Sequence, residues 1–98
     1  MKKQIDTNDT NFNIMVYSAI RYALSSSAIN SEKGRKSDVA KAIVNFVTPL
    51  LHDLSMTTLC IIQKDIVDAC KYNYLDNKTA DKSMWIKLYN DIQAITNI

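Results

Sequence analysis

The stretch "DVAKAIVNFVTPLLHDL", from Asp38 to Leu54, repeats its apolar residues at the spacing of one helix face. Polar residues such as Lys41, Asn45 and His52 fall on the opposite side. A helix with this pattern must bury its apolar face against other elements of the fold. The apolar positions are Val39, Ala40, Ile43, Val44, Phe46, Val47, Leu50, Leu51 and Leu54.

Pro49 lies inside this stretch, and a proline within a helix removes one hydrogen bond and clashes with the preceding turn. Two structures are compatible with it. One is a single helix kinked between Asn45 and Pro49. The other is a break, with Thr48 as the cap and Pro49 at the first position of a new helix. The apolar spacing continues through the proline, which favours the kink.

Three more helices are predicted around this one, over residues 11–26, 56–74 and 82–96, so the fold class is all-α, a compact bundle of about four helices. The serine-rich run "SSSAINSEKGRKS" is predicted to end the first helix and form a loop. "LDNKTA" is a second predicted connection. The predicted helix caps are Asp9 or Thr10, Ser37, Ser55 and Asp81.

The first helix is apolar over more than half of its circumference, with only a thin polar stripe at Ser18, Arg21 and Ser25. A helix of this kind is buried on several sides, which in so small a protein suggests a central helix or a subunit interface. A small bundle does not readily cover so much apolar surface, so we expect a homodimer.

The composition indicates one globular domain without β structure. The 98 residues are 47% hydrophobic and include one glycine and one proline, which argues against many tight turns. Residues 1–11 are polar and aperiodic and are predicted to be a flexible arm, and residues 12–98 a single helical domain. No membrane-spanning run or secretory signal is recognisable, so we expect a cytoplasmic protein that does not bind membranes.

The residue chemistry argues against an enzyme, a metal site or a cofactor. The sequence has no phosphate-binding loop, dinucleotide fingerprint or nucleophile elbow. Its one histidine, His52, has no ligand at metal-binding spacing and is expected to face solvent. Cys60 and Cys70 lie about 15 Å apart along one helix, too far to pair, and are expected to be small buried apolar residues. A net charge of +2 makes nucleic-acid binding possible but not favoured.

Two places are candidates for binding a partner or an anion. Lys33, Gly34, Arg35 and Lys36 precede a helix N-terminus, where cations and free amides attract anions, although a solvated hinge explains the same residues. The other place is Arg21 with Tyr22. Arg21 either pairs with a carboxylate such as Asp65 or Asp81 or contacts a ligand or partner. Trp85 is expected in the core.

Two short motifs resemble a group of small phage and prophage proteins. Those proteins have Arg-Tyr-Ala-Leu-Gly-Arg on their first helix, which Arg21-Tyr22-Ala23-Leu24 matches over four positions. They end with Asp-x-x-x-Trp-x-x-Leu, which Asp81, Trp85 and Leu88 match. The Gly-Arg pair does not follow Leu24: either an insertion displaces it to Gly34 and Arg35, or it is lost. The resemblance implies a phage-associated source and no established activity.

Small cofactor-free phage proteins of this kind are often inhibitors of host defence, including anti-CRISPR proteins, and this association suggests the function. We expect a non-enzymatic protein that binds a host defence component in the bacterial cytoplasm. The alternatives are a small DNA-binding regulator, a protein that sequesters a nucleotide messenger between subunits, and a phage structural or assembly protein.

Overall fold

The computed structural model describes residues 9–71 and 81–97, and these form an all-α bundle, as predicted. The α-helices are α1 (Thr10–Glu32), α2 (Asp38–Val47), α3 (Met56–Lys71) and α4 (Lys82–Thr96), with a 3₁₀ helix (Thr48–Asp53) between α2 and α3. α1 packs mainly on α2 and less extensively on α3, and α3 packs on α4. Helix α4 also contacts the 3₁₀ helix and α2, which closes the bundle around one core.

Helix α1 is longer than predicted, because the run from Ser25 to Glu32 is helical and not a loop. Tertiary packing overrides the low helix propensity of the serines here. Ser27 is buried, and the side chain of Asn30 donates a hydrogen bond to the Ser26 carbonyl within the helix. The helix ends at Glu32, just before the turn that contains Gly34.

The predicted caps at the start of α1, α2 and α3 are confirmed. Asp9 accepts a hydrogen bond from the Phe12 amide at 2.9 Å, and Ser37 accepts one from the Ala40 amide at 3.0 Å. Ser55 accepts one from the Thr58 amide at 3.2 Å. Each side-chain oxygen binds an amide that has no partner within its own helix.

The type of helix changes in the segment that contains Pro49. Helix α2 ends at Val47, and the 3₁₀ helix follows at once with Pro49 in its first turn. Val47 and Thr48 both keep right-handed helical dihedral angles. The favoured single kinked helix is therefore wrong. The α-helix breaks before Pro49, as in the alternative, but a 3₁₀ helix follows and its cap is Val47, not Thr48. The tightening leaves Leu51 and Leu54 in the core.

Trp85 is fully buried in the core, as predicted, among aliphatic side chains from all four helices. His52 is exposed, also as predicted. Cys60 is exposed and Cys70 half-buried, and neither forms a disulfide, so the prediction of two buried thiols is wrong for Cys60. The fully buried large side chains include Val16, Ile20, Val47, Leu51, Leu59, Ile62, Ile66, Leu88 and Ile92.

Asp81 lies just before α4, but its side chain does not cap that helix. Its Oδ2 instead accepts hydrogen bonds from the Ser27 hydroxyl at 2.9 Å and the Ser37 amide at 3.1 Å. Trp85 Nε1 donates to the same Ser27 hydroxyl at 2.9 Å. The prediction of a side-chain cap is therefore wrong. This buried polar network joins α1, the start of α2 and the start of α4.

Several predictions concern residues outside the described ranges. They are the flexible arm over residues 1–8, the end of α3 at residues 72–74 and the connection "LDNKTA". Thr10 and Asn11, which the prediction placed in the arm, belong to α1.

Candidate functional site

Two separate clefts follow one another along the junction between α1 and α3, and together they are called the groove. Residues 10–17 of α1 lie beside residues 55–61, and residues 21–29 lie beside residues 65–69, so the two helices are parallel. The groove forms because these helices pack less extensively than α1 with α2. Along α1 it extends for about 28 Å, the rise of its 10–29 segment.

The narrower section of the groove, about 340 Å³, lies at the start of the two helices. Its base is fixed by Asn13, a buried residue whose Oδ1 accepts a hydrogen bond from the Ser55 amide at 2.9 Å. The Asn13 amide group donates to the Asp9 carbonyl at 2.7 Å. Ile14 and Ile61 line this section with exposed apolar side chains. The accessible surface of this section is therefore mainly apolar.

The wider section, about 590 Å³, contains the charged residues of the groove. Arg21 comes from α1, and Asp65 and Asp68 come from one face of α3, since residues three apart lie on the same side of a helix. Its apolar lining is Leu24, Ala28, Ile29 and Ala69. Its volume lies within the range of about 300–1,000 Å³ that is typical of ligand sites.

Arg21 and Asp65 approach each other without a hydrogen bond. Arg21 Nη1 is 3.7 Å from Asp65 Oδ2, which is an ion pair. The same nitrogen donates a hydrogen bond to the Tyr17 hydroxyl at 3.1 Å, and the guanidinium lies 5.9 Å from the centre of the Tyr17 ring. Hydrogen bonding to Tyr17, with a further contribution from the charge of Asp65, raises the pKa of Arg21, so the groove keeps its cation. The predicted pairing of Arg21 with Asp65 is confirmed.

Asp65 Oδ2 is buried and has no hydrogen-bond donor within the described structure. A buried carboxylate oxygen without a donor is unfavourable, and most buried polar atoms in proteins have a partner. Arg21, its ion-pair partner, has a side chain that is 60% exposed and donates its hydrogen bond to Tyr17. Asp68 is bound by Lys64 at 2.9 Å on the rim. Asp65 is thus a lining carboxylate of this section whose Oδ2 has no donor within the described residues.

The sequence-predicted site residues do not form one site. Tyr22 is exposed on a different side of α1 from Arg21, and it does not line the groove. Lys33, Arg35 and Lys36 are exposed in the turn between α1 and α2. Along α1, Lys33 is about 18 Å from Arg21.

Gly34 follows Lys33, the C-cap residue of α1, and has a φ of +69°. Its amide donates to the Ser31 carbonyl at 3.0 Å, and the Arg35 amide donates to the Asn30 carbonyl at 2.9 Å. This pair of bonds is the Schellman motif, in which glycine supplies the left-handed residue. The amides of Gly34 and Arg35 are therefore used within the fold, and an anion at this turn would meet side chains.

Sequence reasoning named Asp65 only as a structural partner and missed Tyr17, Asp68 and the isoleucines of the groove. The available signal was the pair Asp65 and Asp68, three residues apart on an amphipathic helix. Nothing local shows that this face of α3 meets α1 loosely, because that depends on contacts between distant segments.

Within residues 9–71 and 81–97, the structure contains no group of three or more His, Cys, Asp or Glu side chains arranged to hold a metal ion. No helix in the same ranges is long and apolar enough to cross a membrane. Comparison of the chain with protein-family models, curated proteins and solved structures finds no match.

Proposed function

We propose that this protein is a phage-encoded inhibitor that acts by binding a component of the host's antiviral defence, and that the α1–α3 groove is its binding site. The observation that carries the binding proposal is Asp65 Oδ2, a buried acceptor without a donor in the wall of an open groove. The resemblance of Arg21-Tyr22-Ala23-Leu24 and the Asp81–Leu88 motif to small phage proteins supports the anti-defence class.

The shape of the groove fits a helical segment of a partner protein. It is long and open on one side, and amphipathic helices bind in grooves of this kind. The apolar ends, near Ile14 with Ile61 and near Ile29, would receive apolar side chains of the segment. Between them, a lysine or arginine of the segment would donate to Asp65, and an acidic residue would approach Arg21.

The alternative functions would rely on residues outside the groove. A DNA-binding regulator or a nucleotide-binding protein would rely on Lys33, Arg35 and Lys36, and its binding would weaken steeply with salt. A variant with Arg35→Glu and Lys36→Glu tests these alternatives, because it reverses two charges in an exposed turn and leaves the groove intact. We expect this variant to keep its inhibitory activity. Its loss, with normal helicity, would favour the anion-binding alternatives.

Photo-crosslinking from within the groove tests the binding site. A photo-reactive residue at Ser25, which lines the groove and is exposed, should crosslink a host protein in cells with active defence. The matched control is the same residue at Ser83, an exposed serine of α4 that lies outside the groove. Equal crosslinking of one protein from both positions would contradict the groove as the site.

The captured protein is then purified for a direct binding measurement. Asp65→Asn should weaken its affinity by about 10- to 100-fold, since a hydrogen bond to a charged group contributes about 1.5–3 kcal/mol. Asp91→Asn removes the same charge from an exposed ion pair on α4 and should leave the affinity unchanged.

Phage plating on a host with an active defence system tests the biological class. Cells that produce the wild-type protein should regain plaque formation, as should cells that produce Asp91→Asn at the same level. Asp65→Asn should fail to restore it. If the wild type restores plating on none of the defended hosts, the anti-defence proposal is wrong, whatever the crosslinking shows.

A further inference from the structure

We propose that a second copy of this chain binds to the outer face of α1 and α2, forming an antiparallel homodimer. The outer face is defined by Met15, Ala19, Tyr22, Ser26 and Ile29 of α1 with Val39, Ala42 and Phe46 of α2. Ile29 also lines the wider section of the α1–α3 groove, so the two surfaces meet at this residue, and the rest of the outer face lies outside the groove. The inference is independent of the proposed function.

The outer face presents five large exposed apolar side chains with small residues between them. Met15, Tyr22 and Ile29 are 55%, 62% and 55% exposed, and Val39 and Phe46 are 47% and 66% exposed. No Lys, Arg, Asp or Glu is among the residues of the face. Depletion of charge together with exposed aromatic residues and Met is typical of the centre of a protein interface.

The available area is close to what a stable interface requires. The five large side chains together expose roughly 600 Å², against about 800 Å² for each partner in a standard interface. The small residues between them add to this area. An uncovered apolar patch of this size is at the upper limit for a monomer.

The order of large and small residues along α1 favours a second copy as the occupant. Met15, Tyr22 and Ile29 are spaced by seven residues, so they form one ridge along the helix, and the small Ala19 and Ser26 lie between them. If a two-fold axis crosses α1 between residues 20 and 21, Tyr22 of one copy faces Ala19 of the other. Met15 of one copy then faces Ser26 of the other. The large side chains of each α1 therefore pack against the small residues of the partner's α1.

The charges at the two ends of α1 agree with the antiparallel direction. Exposed Asp9 lies at the start of α1, and the exposed cations Lys33, Arg35 and Lys36 follow its end. The antiparallel pair brings Asp9 of one copy near this turn of the other copy. A parallel pair would place the cations of both copies together.

Sedimentation of the full chain tests the dimer. The wild-type mass should approach twice 11.1 kDa as the concentration rises. Tyr22→Glu should reduce it to the monomer mass, because a charge in the centre of an apolar interface is unfavourable. Val67→Glu, which changes an exposed valine of α3 outside the face, should remain dimeric. A wild type that stays monomeric, or a Tyr22→Glu variant that stays dimeric, would overturn the proposal.

Disulfide trapping tests the direction, in a background of Cys60→Ser and Cys70→Ser. A mixture of Met15→Cys and Ser26→Cys proteins should form the mixed disulfide on mild oxidation, because these positions face each other in the antiparallel pair. Met15→Cys alone should form little disulfide. Efficient pairing of Met15→Cys with itself would overturn the antiparallel arrangement, as would failure of the mixture to crosslink.

Discussion

Asp81 and Asp65 are both carboxylates that the bundle removes largely from water, but their surroundings differ. Asp81 is 6% exposed and accepts hydrogen bonds from the Ser27 hydroxyl and the Ser37 amide. The side chain of Asp65 is 17% exposed, and its Oδ2 accepts none. A satisfied buried carboxylate stabilises the fold, whereas an unsatisfied one does not, and this contrast separates a structural residue from a candidate for binding.

The largest effect is expected from Asp81→Ala. It leaves the Ser27 hydroxyl and the Ser37 amide without their acceptor in a buried site, so the free energy of unfolding should fall by about 2–4 kcal/mol. Urea unfolding followed by circular dichroism measures this change. Asp91→Ala, in an exposed ion pair, is the control and should change it by less than about 0.5 kcal/mol. Similar changes in the free energy of unfolding for both variants would show that Asp81 is not a structural residue.

Trp85→Phe should reduce the free energy of unfolding by about 1–2 kcal/mol, because it removes the hydrogen bond to Ser27 and part of the ring volume. The same urea titration measures it. Combined with Ser27→Ala, the two losses should not add, since both substitutions remove one shared bond. A strictly additive double variant would show that this bond does not contribute.

Gly34→Ala should cost about 1 kcal/mol, because φ is +69° and other residues are strained in that conformation. A Cβ at this position would meet no atom within 4 Å, so the cost is conformational and not steric. Gly34→Asn should cost less, since asparagine tolerates the left-handed region. Thermal unfolding compares the two variants. Equal losses of stability in Gly34→Ala and Gly34→Asn would indicate that the left-handed conformation of the Schellman motif is not the reason for glycine at this position.

Arg21→Ala should have the smallest effect, within about 0.5 kcal/mol of the wild-type free energy of unfolding, because the Arg21 side chain is 60% exposed and its ion pair with Asp65 is long, at 3.7 Å. Urea unfolding checks this value. A loss above about 1 kcal/mol would mean that Arg21 already satisfies Asp65 within the fold.

Local sequence patterns were sufficient for much of the bundle. The start of α2 follows from its capping residue Ser37, and the bounds of α4 and the core position of Trp85 follow from helical spacing. The extension of α1 could not be predicted, because the serine-rich run disfavours helix locally and is held by the contact of Ser27 with Asp81 and Trp85. Those residues are more than fifty positions away along the chain.

The candidate site was predicted only in part. Arg21 and its possible partner Asp65 could be named from the sequence, because an arginine on an apolar helix needs a carboxylate or a ligand. The groove could not be predicted from the sequence, since it depends on how closely α1 and α3 pack. That Asp65 Oδ2 lacks a donor is a property of atomic positions, which no residue pattern contains.

Equilibrium urea unfolding of Asp65→Asn beside Asp81→Asn tests most directly whether Asp65 is free of a structural role. Both changes keep the side-chain shape and remove one charge. We expect Asp81→Asn to lower the free energy of unfolding by about 1–3 kcal/mol, and Asp65→Asn to leave it unchanged or raise it by up to about 1 kcal/mol. An equal loss in both variants would show that the fold depends on Asp65 as it does on Asp81, and would contradict its assignment to partner binding.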